Sequence, residues 1–455
     1  MMGKERLLEL IETVLQMVPA EQAEVLARTT KTDLTRIANS DIHQNIAEVD
    51  IEVSVRVIDA QRLGQATTNR IDQASLKQAV DLAVSIARGS KPNADFSDFA
   101  GPQEYPVVVP CDEDTYEFDP LAKAEALRDI VQRLSPQSMR LFGFYATGGD
   151  EFAVGNSNGL RAYHKSSRAG TMMMVYSDEG SGHASAQGKS VGDINIDMTA
   201  DKAADKCRRN RKQIALEPGR YTVILESEAV ANLLSCMPVA FGGDAVQNGS
   251  SAVEHLLGQQ ALGTNINMWE DGTDPRGYPV PFDVEGMPKR KFSLVEQGVI
   301  RNVAHSRYTA AGIKGASSTG SAVDPVRSRG RGLIAAPTHV FMQGGDTPLD
   351  DMIADVEYGV LVTRFYFQKV MHPVKTLMTG LTRDGTFLIR NGKIDAACKN
   401  LRFTETMFNT LNNVTAISRE TEWCGMYAPW LELCMHSPAL RIEDFLFNSV
   451  VDEVY

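Results

Sequence analysis

No apolar run in the 455-residue chain is long enough to cross a membrane, which takes roughly 18 residues as a helix. The N-terminal stretch MMGKERLLELIETVLQMV has acidic residues inside a helical pattern, so it lacks the unbroken apolar centre of a secretory signal. Both absences point to a cytoplasmic chain with no membrane partner. Cys111, Cys207, Cys236, Cys398, Cys424 and Cys434 are scattered and form no CxxC pair. That excludes zinc-knuckle and dithiol motifs and predicts free thiols in a reducing compartment. Positive charge is in deficit, with 46 Lys and Arg against 58 Asp and Glu, a net charge of -12 and a pI of about 5.3. A dedicated nucleic-acid binder shows a basic face instead. The eight histidines never fall at i, i+3 or i+4 spacing, and neither HExxH nor HExxxH occurs. No single helix therefore offers the paired imidazoles of a zinc peptidase. There is also no GxxxxGK phosphate loop and no GxSxG elbow.

What is present reads as an α+β fold in two parts: an N-terminal α+β domain over 1–215, then a β-rich domain of mostly antiparallel strands over 216–455. Helical spacing predicts helices over 4–18, 75–88, 120–134 and 199–213. Asp119 and Pro120 stand as cap and first residue of the third. The segments 23–32 and 33–42 read as two strands, and VDIEVSVRVI (49–58) alternates as a half-buried strand. Residues 91–119 read as a long surface connection. Later helices are expected over 228–240, with a break at Pro238, and over 250–262, 348–357 and 405–411.

The stretch Phe282–Ala322, FDVEGMPKRKFSLVEQGVIRNVAHSRYTAAGIKGASSTGSA, sets glycines between short apolar runs and reads as short strands with tight turns. Together with EPGRYTVIL (217–225), GVLVTRF (359–365), TGLTRDGTFLIRNGKI (379–394), NVTAISRE (413–420) and PALRIEDFLF (438–447), it resembles the TldD/PmbA family. VRVIDAQRLGQATTN (55–69) extends the likeness into the N-terminal half. The family is often labelled a modulator of DNA gyrase and classed with metallopeptidases. The resemblance implies dimers enclosing a peptide-sized channel. In the catalytic branch it also implies a zinc site, built from HExxxH after the YTVIL-type strand and from a distant Cys-Gly segment. Here the positions matching HExxxH are Ser235, Cys236 and Ala240, and Cys424-Gly425 matches the Cys-Gly segment. The chain thus resembles the metal-free PmbA or TldE branch, for which no zinc cofactor is expected.

Other residues admit a functional and a structural reading. Cys236 and Cys424 can be site remnants, a metal or redox pair or, as we prefer, two small buried apolar groups. His305 and His372 are candidates to face a peptide channel, although structural or solvated roles are favoured. Arg327 and Arg329, in SRGRG with Arg331, match a carboxylate grip or a solvated loop. Asp283 and Glu285 can meet a peptide amine or hold their turn through backbone hydrogen bonds. The basic run KCRRNRK (206–212) suits a helix C-terminus without nucleic acid.

The function expected is a non-catalytic partner subunit in peptide proteolysis or processing. It would act as a homodimer or as a heterodimer with a TldD-type catalytic subunit, with a peptide as ligand. An independent thiol-based or zinc-dependent hydrolase and a peptide-binding homodimer without catalysis are the alternatives.

Overall fold

The computed structural model describes residues 2–96, 98–324, 333–424 and 434–451. Helix α1 (Lys4–Met17) buries Leu7, Leu10, Ile11 and Val14 along one stripe. Six antiparallel strands follow: β1 (Gln22–Ala38), β2 (Asp41–Asp59), β3 (Arg62–Thr68), β4 (Arg140–Asn156), β5 (Arg161–Tyr176) and β6 (Ser181–Gly188). Their order in the sheet is β3-β2-β1-β4-β5-β6. Helix α2 (Gln73–Gly89) starts under the Asp72 carboxylate, which accepts from Ser75 N. A four-residue turn, α3 (Glu113–Tyr116), interrupts the long connection, and α4 (Pro120–Leu134) begins at Asp119 and Pro120 as the sequence predicts. Helix α5 spans Ile196–Arg209.

One expectation fails here. Residues 23–42 are not two strands, because β1 runs unbroken to Ala38 and the chain turns only at Asn39 and Ser40, with φ 52° and 67°. Asn39-Ser40-Asp41 is itself a run of turn-forming residues, and Asn tolerates the left-handed region, so the turn falls there and not at Thr32-Asp33.

The middle of the sheet is buried on both faces, while the Asp41–Asp50 arm of β2 is largely exposed. Ala23, Val25 and Ala27 join Val53, Val55 and Val57 beneath α1 and α2. Leu26, one residue out of phase, packs on the opposite face with Phe152, Val154, Phe282, Val284 and Ala322. The N-terminal sheet therefore lies directly on the C-terminal half.

That half opens with β7 (Gly219–Leu225), α6 (Ser227–Leu234), α7 (Met237–Phe241) and α8 (Gly243–Gln247). Then come β8 (Met268–Glu270), β9 (Phe292–Glu296), β10 (Val299–Ile300), α9 (Arg307–Ala310), β11 (Ala322–Val323), β12 (Ile334–Ala335) and β13 (His339–Met342). The chain closes with α10 (Leu349–Ala354), β14 (Tyr358–His372), β15 (Leu377–Arg390), β16 (Lys393–Ala397), β17 (Asn400–Thr406), α11 (Met407–Asn412), β18 (Val414–Cys424) and β19 (Cys434–Val451). Among the described residues these strands build an 11-stranded sheet and a separate β11–β12 pair. Most pairings are antiparallel, while β13–β19 and β14–β7 are parallel. Helix α6 drives Val230, Leu233 and Leu234 into a core with Phe365, Phe403, Phe445 and Phe447.

Two further expectations are corrected. Residues 250–262 hold only a short turn at Glu254–Leu256, since Gly258 takes φ 78° and the chain then bridges to Val299 and Ile300. Within 282–322 only one hairpin, β9–β10, and the first strand of another pair form, while α9 supplies a helical turn capped by Ser306. Gly286 faces Leu160 between β4 and β5, whereas Gly298 and Gly320 pack on neighbouring loops of the C-terminal half.

Candidate functional site

The loop over 278–289 forms the seam between the two halves, and its own residues tie it. Asp283 Oδ1 accepts from Glu285 N (2.9 Å) and Met287 N (3.0 Å), and Oδ2 accepts from Ala322 N (2.9 Å). Gly286, at φ 70°, lets the chain reverse, and a Cβ there would lie 2.7 Å from Leu160 Cδ2. Beneath the loop, Arg56 Nη1 donates to Glu24 Oε1 (2.8 Å) and Glu285 Oε1 (3.1 Å), while the guanidinium lies 5.4 Å from the Phe99 ring centroid. Glu285 Oε2 also accepts from Arg307 N (2.6 Å). Burial pushes the Glu24 carboxyl up to about 7, against the pull of Arg56. Burial and the neighbouring charge of Glu285 push Asp283 up to about 7.

Beside this cluster lies a cavity of about 70 Å³, walled by Arg28, Asp150, Phe152, Ser166, Tyr278 and Lys289 among others. β1, β4 and β5 present Arg28, Asp150, Phe152 and Ser166 on one face, since Arg28 is paired with Phe152 and Asp150 with Ser166. Arg28 is ion-paired with Asp324. Asp150 accepts from Thr30 Oγ1 (2.6 Å), Arg168 Nη1 (3.3 Å) and Tyr278 Oη (3.3 Å), and the Tyr278 and Ser166 hydroxyls are 2.6 Å apart. His339 Nε2 lies 2.7 Å from the Tyr278 carbonyl and must donate to it, so Nδ1 accepts from Thr338 Oγ1 (2.9 Å). Burial, helped by Lys289, lowers His339 to about 3, which keeps this ring neutral.

The residues singled out in sequence scatter. Asp283 and Glu285 do meet, as turn and seam ties. His305 is half-buried, with Nδ1 3.3 Å from Thr309 Oγ1, and burial lowers its pKa. His372 is exposed at the end of β14. Arg327, Arg329 and Gly425 lie outside the described residues. Sequence reasoning missed Arg28, Arg56, Tyr278 and Lys289. For Arg28 and Arg56 the signal was charge within strands, which reads equally well as a solvated face; Tyr278 and Lys289 lie in a loop and carried none.

Comparison with known proteins places this architecture. Models of the PmbA/TldA metallopeptidase match domain 1 over residues 23–87, the central domain over 113–211 and the C-terminal domain over 218–449. The chain belongs to the PmbA/TldD family. The chain is 23% identical over 446 residues to a metalloprotease TldD homolog of Buchnera aphidicola, covering 91% of this chain and 90% of the relative. It is 22% identical over 438 residues to a metalloprotease TldD homolog of Haemophilus influenzae, covering 89% and 88%. Its fold matches the crystal structure of TldE from Thermococcus kodakarensis with a TM-score of 0.86 at 18% identity, covering 97% of this chain and 99% of that one.

The PmbA/TldD resemblance directs attention to the turn between α6 and α7. Pro238, near the start of α7, lacks an N–H and forces a new helix start. Ser235 caps α6, its Oγ donating to Asn232 O (2.6 Å). Cys236 is buried, its thiol donating to Leu233 O (3.2 Å) and touching Met407 Sδ (3.1 Å). Burial pushes this thiol up to about 12. Ala240 is buried in the same core and carries no donor atom. Ser235 and Ala240 offer none of the thiolate, imidazole or carboxylate groups that hold zinc, and the buried Cys236 thiol keeps its proton, so these residues do not fit it. Cys424, buried at the end of β18, is pushed well up by burial and then by Glu228, Glu422 and Glu226. Among the described residues no group of three or more His, Cys, Asp or Glu is arranged to hold a metal ion.

Proposed function

We propose that this protein is a non-catalytic, peptide-handling member of the PmbA/TldD family that works with a TldD-type catalytic subunit. The observation that carries this reading is the α6–α7 turn. Where HExxxH would place two ligands and a general base stand a helix-capping serine, a core thiol and a core alanine. The length of the likeness to TldD homologs supports a shared peptide substrate class. The exposed arm of β2 adds support. β3 pairs only with Val53–Asp59, so residues 41–51 have no strand on their outer side among the described residues. An extended peptide or a partner strand can add to such an edge. No helix of the described residues is long and apolar enough to cross a membrane, and we place the protein in the cytoplasm as a homodimer or heterodimer.

The thiol-hydrolase alternative is disfavoured, since thiol catalysis requires a lowered pKa and burial raises both Cys236 and Cys424. The test is to mix the purified protein with an HExxxH-bearing homologue and follow complex formation and cleavage of an unstructured peptide. Co-elution with altered cleavage is expected. Separate elution with unchanged cleavage would sink the reading.

A further inference from the structure

We propose that the seam cavity binds a carboxylate of a peptide, between Lys289 and Arg28. This rests on the peptide-handling reading only for the identity of the acid. Lys289 is 8% exposed and lines the cavity. Its Nζ is ion-paired with Glu270, 3.7 Å from Oε1. An ammonium carries three donors, and a single carboxylate partner leaves the others for a ligand oxygen in the cavity.

Arg28 supplies the second cation on the same wall, held 5.2 Å from the Phe152 ring centroid and tied to Asp324. The acidic side chains of the wall are already committed. Asp324 is on Arg28, Asp150 is on Arg168 and Tyr278, and Asp283 takes three backbone N–H groups. The Ser166 and Tyr278 hydroxyls stand on the same wall and can meet the ligand's backbone. A volume of about 70 Å³ admits several waters, hence a carboxylate with its first substituents but not a large side chain.

The experiment is calorimetric titration of the full chain with three N-acetylated peptides: tetra-alanine with a free C-terminus, its C-terminal amide, and the amide of Ala-Asp-Ala-Ala. The free acid is expected to bind on the order of tenfold or more tightly than its amide, the loss typical of a missing charge-assisted hydrogen bond. Binding of the Asp peptide as well would assign the site to either source of carboxylate. Binding of the free acid alone would assign it to the chain terminus. Lys289→Met is expected to abolish the preference and Lys289→Arg to keep part of it. If Lys289→Met does not fold, the wild-type acid-against-amide comparison still decides. No preference of either carboxylate peptide over the tetra-alanine amide, or no binding of any of the three, overturns the proposal. Association with a catalytic subunit is measured separately, so the two readings fail independently.

Discussion

Replacing Arg56 by methionine tests whether the seam is held by a shared cation. Arg56 serves Glu24 at 2.8 Å and Glu285 at 3.1 Å, and all three side chains are at most 5% exposed. Removing one partner of a buried ion pair costs about 3–5 kcal/mol, because the other charge stays buried and uncompensated. The cost should depend on pH. The Glu24 carboxyl is raised from 4.5 to about 7 in the folded protein, so the folded state binds that proton more tightly than the unfolded state. This stabilisation is fully present below pH 4.5 and is lost as pH rises through about 7. At about 1.4 kcal/mol per pKa unit the whole swing is about 3 kcal/mol. Arg56 holds the Glu24 pKa down, so without it the carboxyl takes up its proton at still higher pH. The variant should then lose more stability relative to wild type at pH 8 than at pH 5.5. Urea unfolding of both proteins at the two pH values reads this directly. Arg56→Met combined with Glu24→Gln should recover part of the loss at pH 8. A loss under about 1 kcal/mol at both pH values would refute the claim that the pair is buried and needed.

Gly64→Ala should destabilise by about 1–3 kcal/mol or more, because a Cβ there would lie 2.0 Å from Ala83 O of α2; thermal unfolding checks it. Ala240→His, a step toward the zinc motif, should cost at least about 2 kcal/mol, since it puts a polar ring into a closed core, and should bind no zinc; unfolding and metal analysis of the purified variant would show otherwise. In the native protein Cys111, the one part-exposed thiol of the six, should alkylate before the five buried ones, as mass spectrometry after brief iodoacetamide treatment would show. Early labelling of Cys236 or Cys424 would instead reopen the thiol alternative.

Much of the fold was legible because periodicity follows burial. The alternation of Val53, Val55 and Val57 placed β2, and Asp119 with Pro120 placed the start of α4. The motif segments also carried the family likeness. Less legible was anything that depended on the second face of a strand. Glu24 and Arg28 alternate with apolar residues and read as a solvent face, yet they are buried against the C-terminal half.

The sequence by itself therefore determined the class of fold, the family and the absence of any HExxxH run. These depend on residue type and local spacing, which a chain carries before it folds. Only the tertiary structure decided that Asp283 and Glu285 tie a seam, that Cys236 is core, and that Arg28 and Lys289 share a cavity. Arg28 and Lys289 lie far apart along the chain, and their proximity arises when the loop over 278–289 closes on the N-terminal sheet. Burial there then sets which carboxyls keep their protons near neutral pH.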